Sequence, residues 1–172
     1  MIRTKTLNNI ELLVADNIGA VHGFTTRHGG VSKAPFDSLN LGLHRGDKDE
    51  NVAENRRRLA CALGFDLDKL VLTHQTHSDI VRVVDESHRR GCFHRDYPEC
   101  DALVTNTPGL ALMIYTADCT PLLFHDPVTG AVGAAHAGWR GTAAAIGAKT
   151  VAAMVAHFGC RPEDIRAAIG PN

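Results

Sequence analysis

Thr116-Ala117-Asp118-Cys119-Thr120-Pro121-Leu122-Leu123-Phe124-His125-Asp126-Pro127-Val128-Thr129-Gly130-Ala131-Val132-Gly133-Ala134-Ala135-His136-Ala137-Gly138-Trp139-Arg140-Gly141-Thr142 is the stretch that decides the fold. It holds two apolar runs of strand length, 121–125 and 131–136, on either side of Pro127-Val128-Thr129-Gly130. That tetrapeptide is a turn signal, so the two runs read as a β-hairpin. The turn returns the chain on itself and brings Cys119, before the first run, near His136, at the end of the second. Gly138-Trp139-Arg140-Gly141 then leads into an Ala-rich helix over 141–158. Strand ends that feed turns and helices are where α/β proteins place their chemistry.

Outward from this hairpin the same patterns recur. Short strands are expected at 10–15, 20–26, 69–74, 79–84, 102–105, 111–116 and 166–169. Residues 50–63 read as a helix with Val52, Leu59 and Leu63 on one face, the arginines at 56–58 on the rest, and Gly64 as its stop. Polar, Gly-rich or irregular segments lie at 25–32, 37–47 and 85–100. Pro162-Glu163-Asp164 starts a helical turn. Many strands and few helices give an α/β (α+β) class with at least one mixed sheet.

Composition narrows the function classes. A chain of 172 residues with 44% hydrophobic and 22% charged residues is an ordinary globule that fits one domain. The net charge of −1 gives no electrostatic reason to expect a nucleic-acid partner. No apolar run is long enough for a membrane span. The N-terminus lacks the apolar segment of an export signal, so a cytoplasmic location with reduced thiols is expected. Five scattered cysteines and ten histidines leave room for metal binding.

Cys119 with His136 admits three readings. A thiolate and an imidazole suit zinc. They equally suit a Cys–His nucleophilic pair. They also suit a buried thiol beside a core histidine. His74-Gln75-Thr76-His77 offers a third ligand, and spacing alone does not choose between the two histidines. A His₂Cys set with an open fourth position is the pattern of a catalytic zinc. Gly138-Trp139-Arg140-Gly141-Thr142 could form an anion site from a helix start and a guanidinium, or simply a tight turn. Arg27-His28-Gly29-Gly30 is a second candidate cradle for phosphate or an oxyanion. His88, Cys92, His94 and Cys100 lack the regular spacing of a zinc knot and read as loop residues. Cys61 and Cys160 read as packing thiols.

The chain resembles the laccase-domain, or multicopper polyphenol oxidase-like, family associated with purine nucleoside phosphorylase activity. The matching pieces run in order over nearly the whole length. They are residues 25–32, Ser38-Leu39-Asn40-Leu41-Gly42, Asn51 to Arg58, Gln75-Thr76-His77, Cys100-Asp101-Ala102-Leu103-Val104-Thr105, Thr116-Ala117-Asp118-Cys119, 136–141 and Ile169-Gly170-Pro171. The resemblance implies a layered sandwich of mixed β-sheets flanked by helices. It implies zinc held by His77, Cys119 and His136, with copper as the other metal ascribed to the family. It implies phosphorolysis of adenosine, inosine, guanosine and methylthioadenosine, adenosine deamination, and a copper-dependent phenol oxidase activity.

On this footing the catalytic candidates are Asp118, Cys119 and Arg140. Asp118 would be an acid/base or a partner to a ligand. Arg27, Asn40, Gln75 and Arg140 are the candidates for substrate contact. The expected partners are a purine nucleoside and phosphate, with no nucleic acid and no membrane, in a monomer or homodimer. The chain has no His-x-His pair, which argues against a trinuclear copper cluster. A Cys–His hydrolase using Cys119 and a non-enzymatic zinc protein are the remaining alternatives. Members of the family continue past Ile-Gly-Pro, so residues 1–172 are expected to be a single domain lacking its C-terminal portion.

Overall fold

The hairpin forms as the turn chemistry requires. In the computed structural model, which describes residues 1–89 and 97–172, strands β8 (Thr120–His125) and β9 (Val132–Ala137) pair antiparallel. The Asp126 side chain accepts from the backbone N–H of Val128 and Thr129, and Gly130 takes the left-handed φ of 74° that closes the turn. Thr120 therefore faces Ala137 and Pro121 faces His136, which leaves Cys119 just beyond the register, level with the start of the Gly-rich turn.

Around this hairpin grows a five-stranded sheet, in the order β10-β8-β9-β6-β5. It adds β10 (Arg166–Ile169), β6 (Ala102–Thr105) and β5 (Val81–Val83). The β5–β6 pair is parallel and the others are antiparallel, so the sheet is mixed. Helix α3 (Ile146–Phe158) covers one face, burying Ile146 and Met154 against Ala102, Val104, Phe124 and Ala135. Each fully buried side chain of this size is worth about 1.5–3 kcal/mol.

A second sheet is built from β1 (Ile2–Leu7), β2 (Ile10–Ala15) and β3 (Phe24–Thr25), all antiparallel. Helix α1 (Asp49–Leu63) lays Leu59 on Ile10 and Leu12 of β2. Acidic Asp49 and Glu50 sit in its first turn, and Gly64 ends it at φ 73° with its N–H on the Ala60 carbonyl. A short parallel pair, β4 (Leu70–Leu72) with β7 (Ala111–Met113), completes the layers. The fold is the expected mixed α/β class.

Three local readings change. Arg56 is not on the solvent face of α1 but 2% exposed, because it lies four residues from Val52 and three from Leu59 on the inward stripe. Its guanidinium donates to the Leu41 carbonyl and to the Tyr115 hydroxyl. The helix expected over 141–158 is two: α2 (Trp139–Ala143) and α3, broken at Ala145, which takes a left-handed φ of 59°. Cys61 is exposed on α1, whereas Cys160 is buried against Thr129.

Candidate metal centre

His77 sits in the β4–β5 connection, Cys119 at the lip of β8, and His136 one residue from the end of β9. The topology brings all three together. Their donor atoms lie within 4.8 Å of one another, and they are the only such cluster of three or more among the described residues. Cys119 Sγ is 3.8 Å from His77 Nε2, and the two imidazole rings meet edge-on with centroids 4.9 Å apart. Donors about 2.0–2.3 Å from a tetrahedral zinc stand about 3.3–3.8 Å from one another, close to the separation of Cys119 Sγ from His77 Nε2. His74, the other candidate, pairs its backbone with Glu99 as an isolated bridge and is not in the cluster.

Gly138 explains why the turn must be Gly-rich here. A Cβ at this position would lie 2.7 Å from His77 Cδ2, 3.3 Å from Cys119 Sγ and 3.5 Å from His136 Cε1. The missing methyl is what lets the chain pass directly over the three donors. Gly141 does the same for α2, where a Cβ would come within 2.9 Å of the Ser78 carbonyl. Helix α2 thus packs closely over the His77 loop, and Ala145 separates it from α3.

Asp101, at the foot of β6, is the residue that sequence reasoning did not single out. It is fully buried. Its Oδ1 accepts from His136 Nδ1 at 2.7 Å and from the His77 N–H at 3.2 Å. Its Oδ2 accepts from the Thr76 N–H, the Ser78 N–H and the Ser78 hydroxyl at 3.1, 2.8 and 2.6 Å. Burial works to raise its pKa, but the hydrogen bonds from Ser78, His136 and the loop N–H groups outweigh it and hold the carboxyl below its usual value. Only its place before the strand 102–105, within Cys100-Asp101-Ala102, marked it in sequence.

The other candidates fall into two groups. The three donors, Asp118, Gln75 and Asn40 all line a cleft of about 1540 Å³. Asp118 is exposed there. Gln75 holds Tyr115 by donating to its carbonyl and accepting from its N–H, at 2.7 and 2.8 Å. Asn40 donates to Asp47 and accepts from Gly42 N–H.

Arg27 is exposed, with Nε donating to the Asp37 carbonyl at 2.8 Å. The N–H groups of Gly30, Val31 and Ser32 are already spent on Ser38 and Asn55, so that loop offers no open anion cradle through them. Arg140 stands 5.2 Å over the ring of Trp139, and Trp139 is 75% exposed. His88 caps its own turn through Asp85, Cys100 is buried, and Cys92 and His94 lie outside the described residues.

Known proteins share this architecture. The family described as multi-copper polyphenol oxidoreductase laccase matches residues 21–172. The purine nucleoside phosphorylase of Deinococcus radiodurans is 50% identical over 170 residues, which is 97% of this chain and 62% of that protein. The purine nucleoside phosphorylase YlmD of Bacillus subtilis is 42% identical over 160 residues, 91% of this chain and 58% of that one. Among solved structures, the Bacillus licheniformis hypothetical protein YfiH superposes with a TM-score of 0.89 at 42% identity, over 99% of this chain and 64% of the other. YlmD from Geobacillus stearothermophilus gives 0.87 at 42% identity, over 95% and 62%. The chain spans less than two thirds of the length of each of these relatives. Among the described residues no helix is long and apolar enough to cross a membrane.

Proposed function

The chain belongs to the multi-copper polyphenol oxidoreductase laccase family, and from that premise we propose that it carries the metal-binding part of a purine nucleoside phosphorylase. The observation that carries this reading is the His77–Cys119–His136 trio opening onto a cleft, in a chain whose relatives bear that name. The donor set, two imidazoles and one thiolate, favours zinc with a vacant fourth position. Copper remains the second metal, without the His-x-His pairs of a trinuclear cluster.

The proposed substrates are adenosine, inosine, guanosine and methylthioadenosine, with adenosine deamination at the same site. In phosphorolysis, a phosphate oxygen forms a bond to the ribose anomeric carbon. The C–N bond to the purine breaks, and its electron pair leaves with the base. Bound zinc would supply Lewis-acid stabilisation of developing negative charge. Arg140, exposed and stacked on Trp139, is the candidate to meet phosphate, although it does not line the cleft; Arg27 would have to leave Asp37 to do so. Asp118, exposed on the cleft, is the candidate to carry a proton to the leaving base.

A second reading rests on the 3.8 Å approach of Cys119 to His77, which also fits a nucleophilic thiolate and its base. One set of experiments separates the two. Base release from adenosine is followed with and without phosphate, in wild type and His77→Ala, alongside metal analysis of the protein. Phosphate-dependent release that vanishes in His77→Ala supports the phosphorylase. Release that ignores phosphate and survives His77→Ala overturns it. Rapid alkylation of Cys119 in zinc-loaded protein favours the nucleophile, because a zinc-bound thiolate is protected.

A further inference from the structure

We propose that Asp101 is the positioning residue of the metal centre, setting the tautomer of one imidazole ligand and the backbone of the other through a single carboxylate. This inference rests on the metal-centre reading above.

Five donors converge on the two oxygens of Asp101, and they come from both ligand-bearing segments. From β9 comes the ring of His136. An ionised carboxylate only accepts, so Nδ1 of His136 carries the proton and Nε2 keeps its lone pair for the ion. Asp101 also grips the His136 backbone, since its carbonyl accepts the His136 N–H at 2.7 Å. From the β4–β5 connection come three successive N–H groups, of Thr76, His77 and Ser78. His77 has a left-handed φ of 61°, a region that side-chain-bearing residues seldom occupy. The carboxylate sits in the nest that these N–H groups form, and so holds His77 in the conformation that aims its ring at Cys119.

Asp101 itself is sealed away. It is 0% exposed, and both of its oxygens are filled by protein donors. It therefore touches neither ion nor substrate and acts only through the two histidines. Asp118, the carboxylate nearest Cys119 in sequence, is exposed and is not the one that bonds His136.

Asn is the informative replacement, because it keeps the shape and removes one acceptor. If its amide NH₂ takes the Oδ1 place, it faces the His77 N–H and drives His136 to accept at Nδ1, which puts the proton on Nε2. If it takes the Oδ2 place, it opposes the Thr76 and Ser78 N–H groups that fix the loop. Either orientation spoils one ligand.

The test uses zinc and cobalt(II) on the purified chain. The wild type is expected to bind one ion, with the absorption of a thiolate-ligated tetrahedral cobalt. Asp101→Asn is expected to weaken zinc binding by about 10–100-fold. Ser78→Ala, which deletes one donor to Oδ2 and leaves His136 untouched, is expected to change affinity by less than about threefold.

A second readout needs neither activity nor metal. Nitrogen-15 NMR of the metal-free wild type should show His136 protonated at Nδ1, and in Asp101→Asn that signature should shift. Failure of the wild type to bind either ion would sink the metal-centre reading itself. Wild-type binding with undiminished affinity in a folded Asp101→Asn would overturn the role of Asp101 alone. If Asp101→Asn does not fold, His136 protonated at Nε2 in the wild type would overturn it just as well.

Discussion

Replacing Gly138 by Ala isolates the cost of one methyl at the metal centre. The backbone there has φ −68° and ψ 167°, which alanine adopts freely, so no conformational strain is introduced. The whole effect comes from the contact. The new Cβ would lie 2.7 Å from His77 Cδ2, whereas carbon atoms rest at about 3.5–4.0 Å. The His77 ring must retreat by about 1 Å, while metal–ligand distances tolerate only about 0.2 Å of change. His77 is exposed and free to move outward, so the metal-free protein should lose less than about 1 kcal/mol. Zinc affinity should fall by about 10–100-fold, or about 1.4–2.7 kcal/mol. Competition against a chromophoric chelator measures the second quantity and urea unfolding of the apo-protein the first. Binding within about threefold of wild type would refute the packing argument. A large loss of apo stability with unchanged affinity would show that Gly138 serves the fold rather than the donors.

Three further predictions follow from the same geometry. Asn55, fully buried on α1, accepts from Val31 and donates to Ser32, Ser38 and Asn40, so Asn55→Ala should cost about 3 kcal/mol in denaturant titration. Asp47 is held at about 2 rather than 3.8, chiefly by the Ser32 hydroxyl, which with Asn40, Asn51 and the Lys48 N–H outweighs its partial burial. Its folded pKa is depressed, so its contribution is complete above pH 4 and is lost as pH falls toward 2; Asp47→Asn should flatten acid unfolding in that window. Burial pushes the thiols of Cys100 and Cys160 up, so a disulfide exchange reagent should titrate exposed Cys61 first and reach those two only on unfolding.

The hairpin and α1 were legible because their signals are local. An Asx turn with a glycine makes β8–β9, and the Gly64 stop ends α1 where the apolar stripe ends. The resemblance picked out His77, Cys119 and His136, and the fold brings those same three together. What the pattern hid is tertiary in origin. Strand β1 is mostly exposed and its sequence, Ile2-Arg-Thr-Lys-Thr-Leu7, carries little hydrophobic alternation. The break at Ala145 falls in a run of alanines, the best helix formers, so nothing local announces the left-handed φ of 59° that it takes there. Arg56 was misplaced because a guanidinium on an apolar stripe reads as a surface charge until the Leu41 carbonyl and the Tyr115 hydroxyl come into view. Asp101 was hidden for the same reason: its five donors come from segments more than twenty residues away.

The three donors differ sharply in exposure: His136 is 3% exposed, Cys119 is half-buried, and His77 is open to solvent. An ion at this centre would therefore be gripped from inside and latched from outside. Exchange of a bound ion with the medium would proceed through the His77 side, where the exposed imidazole would lift away while Cys119 and His136 kept hold. Loss of metal would be stepwise, its pace set by the latch, and a small chelator reaching that side should strip the centre faster than dilution alone. Retention of a metal there would then be a question of residence time as much as of equilibrium, with His77 the residue on which that time would depend.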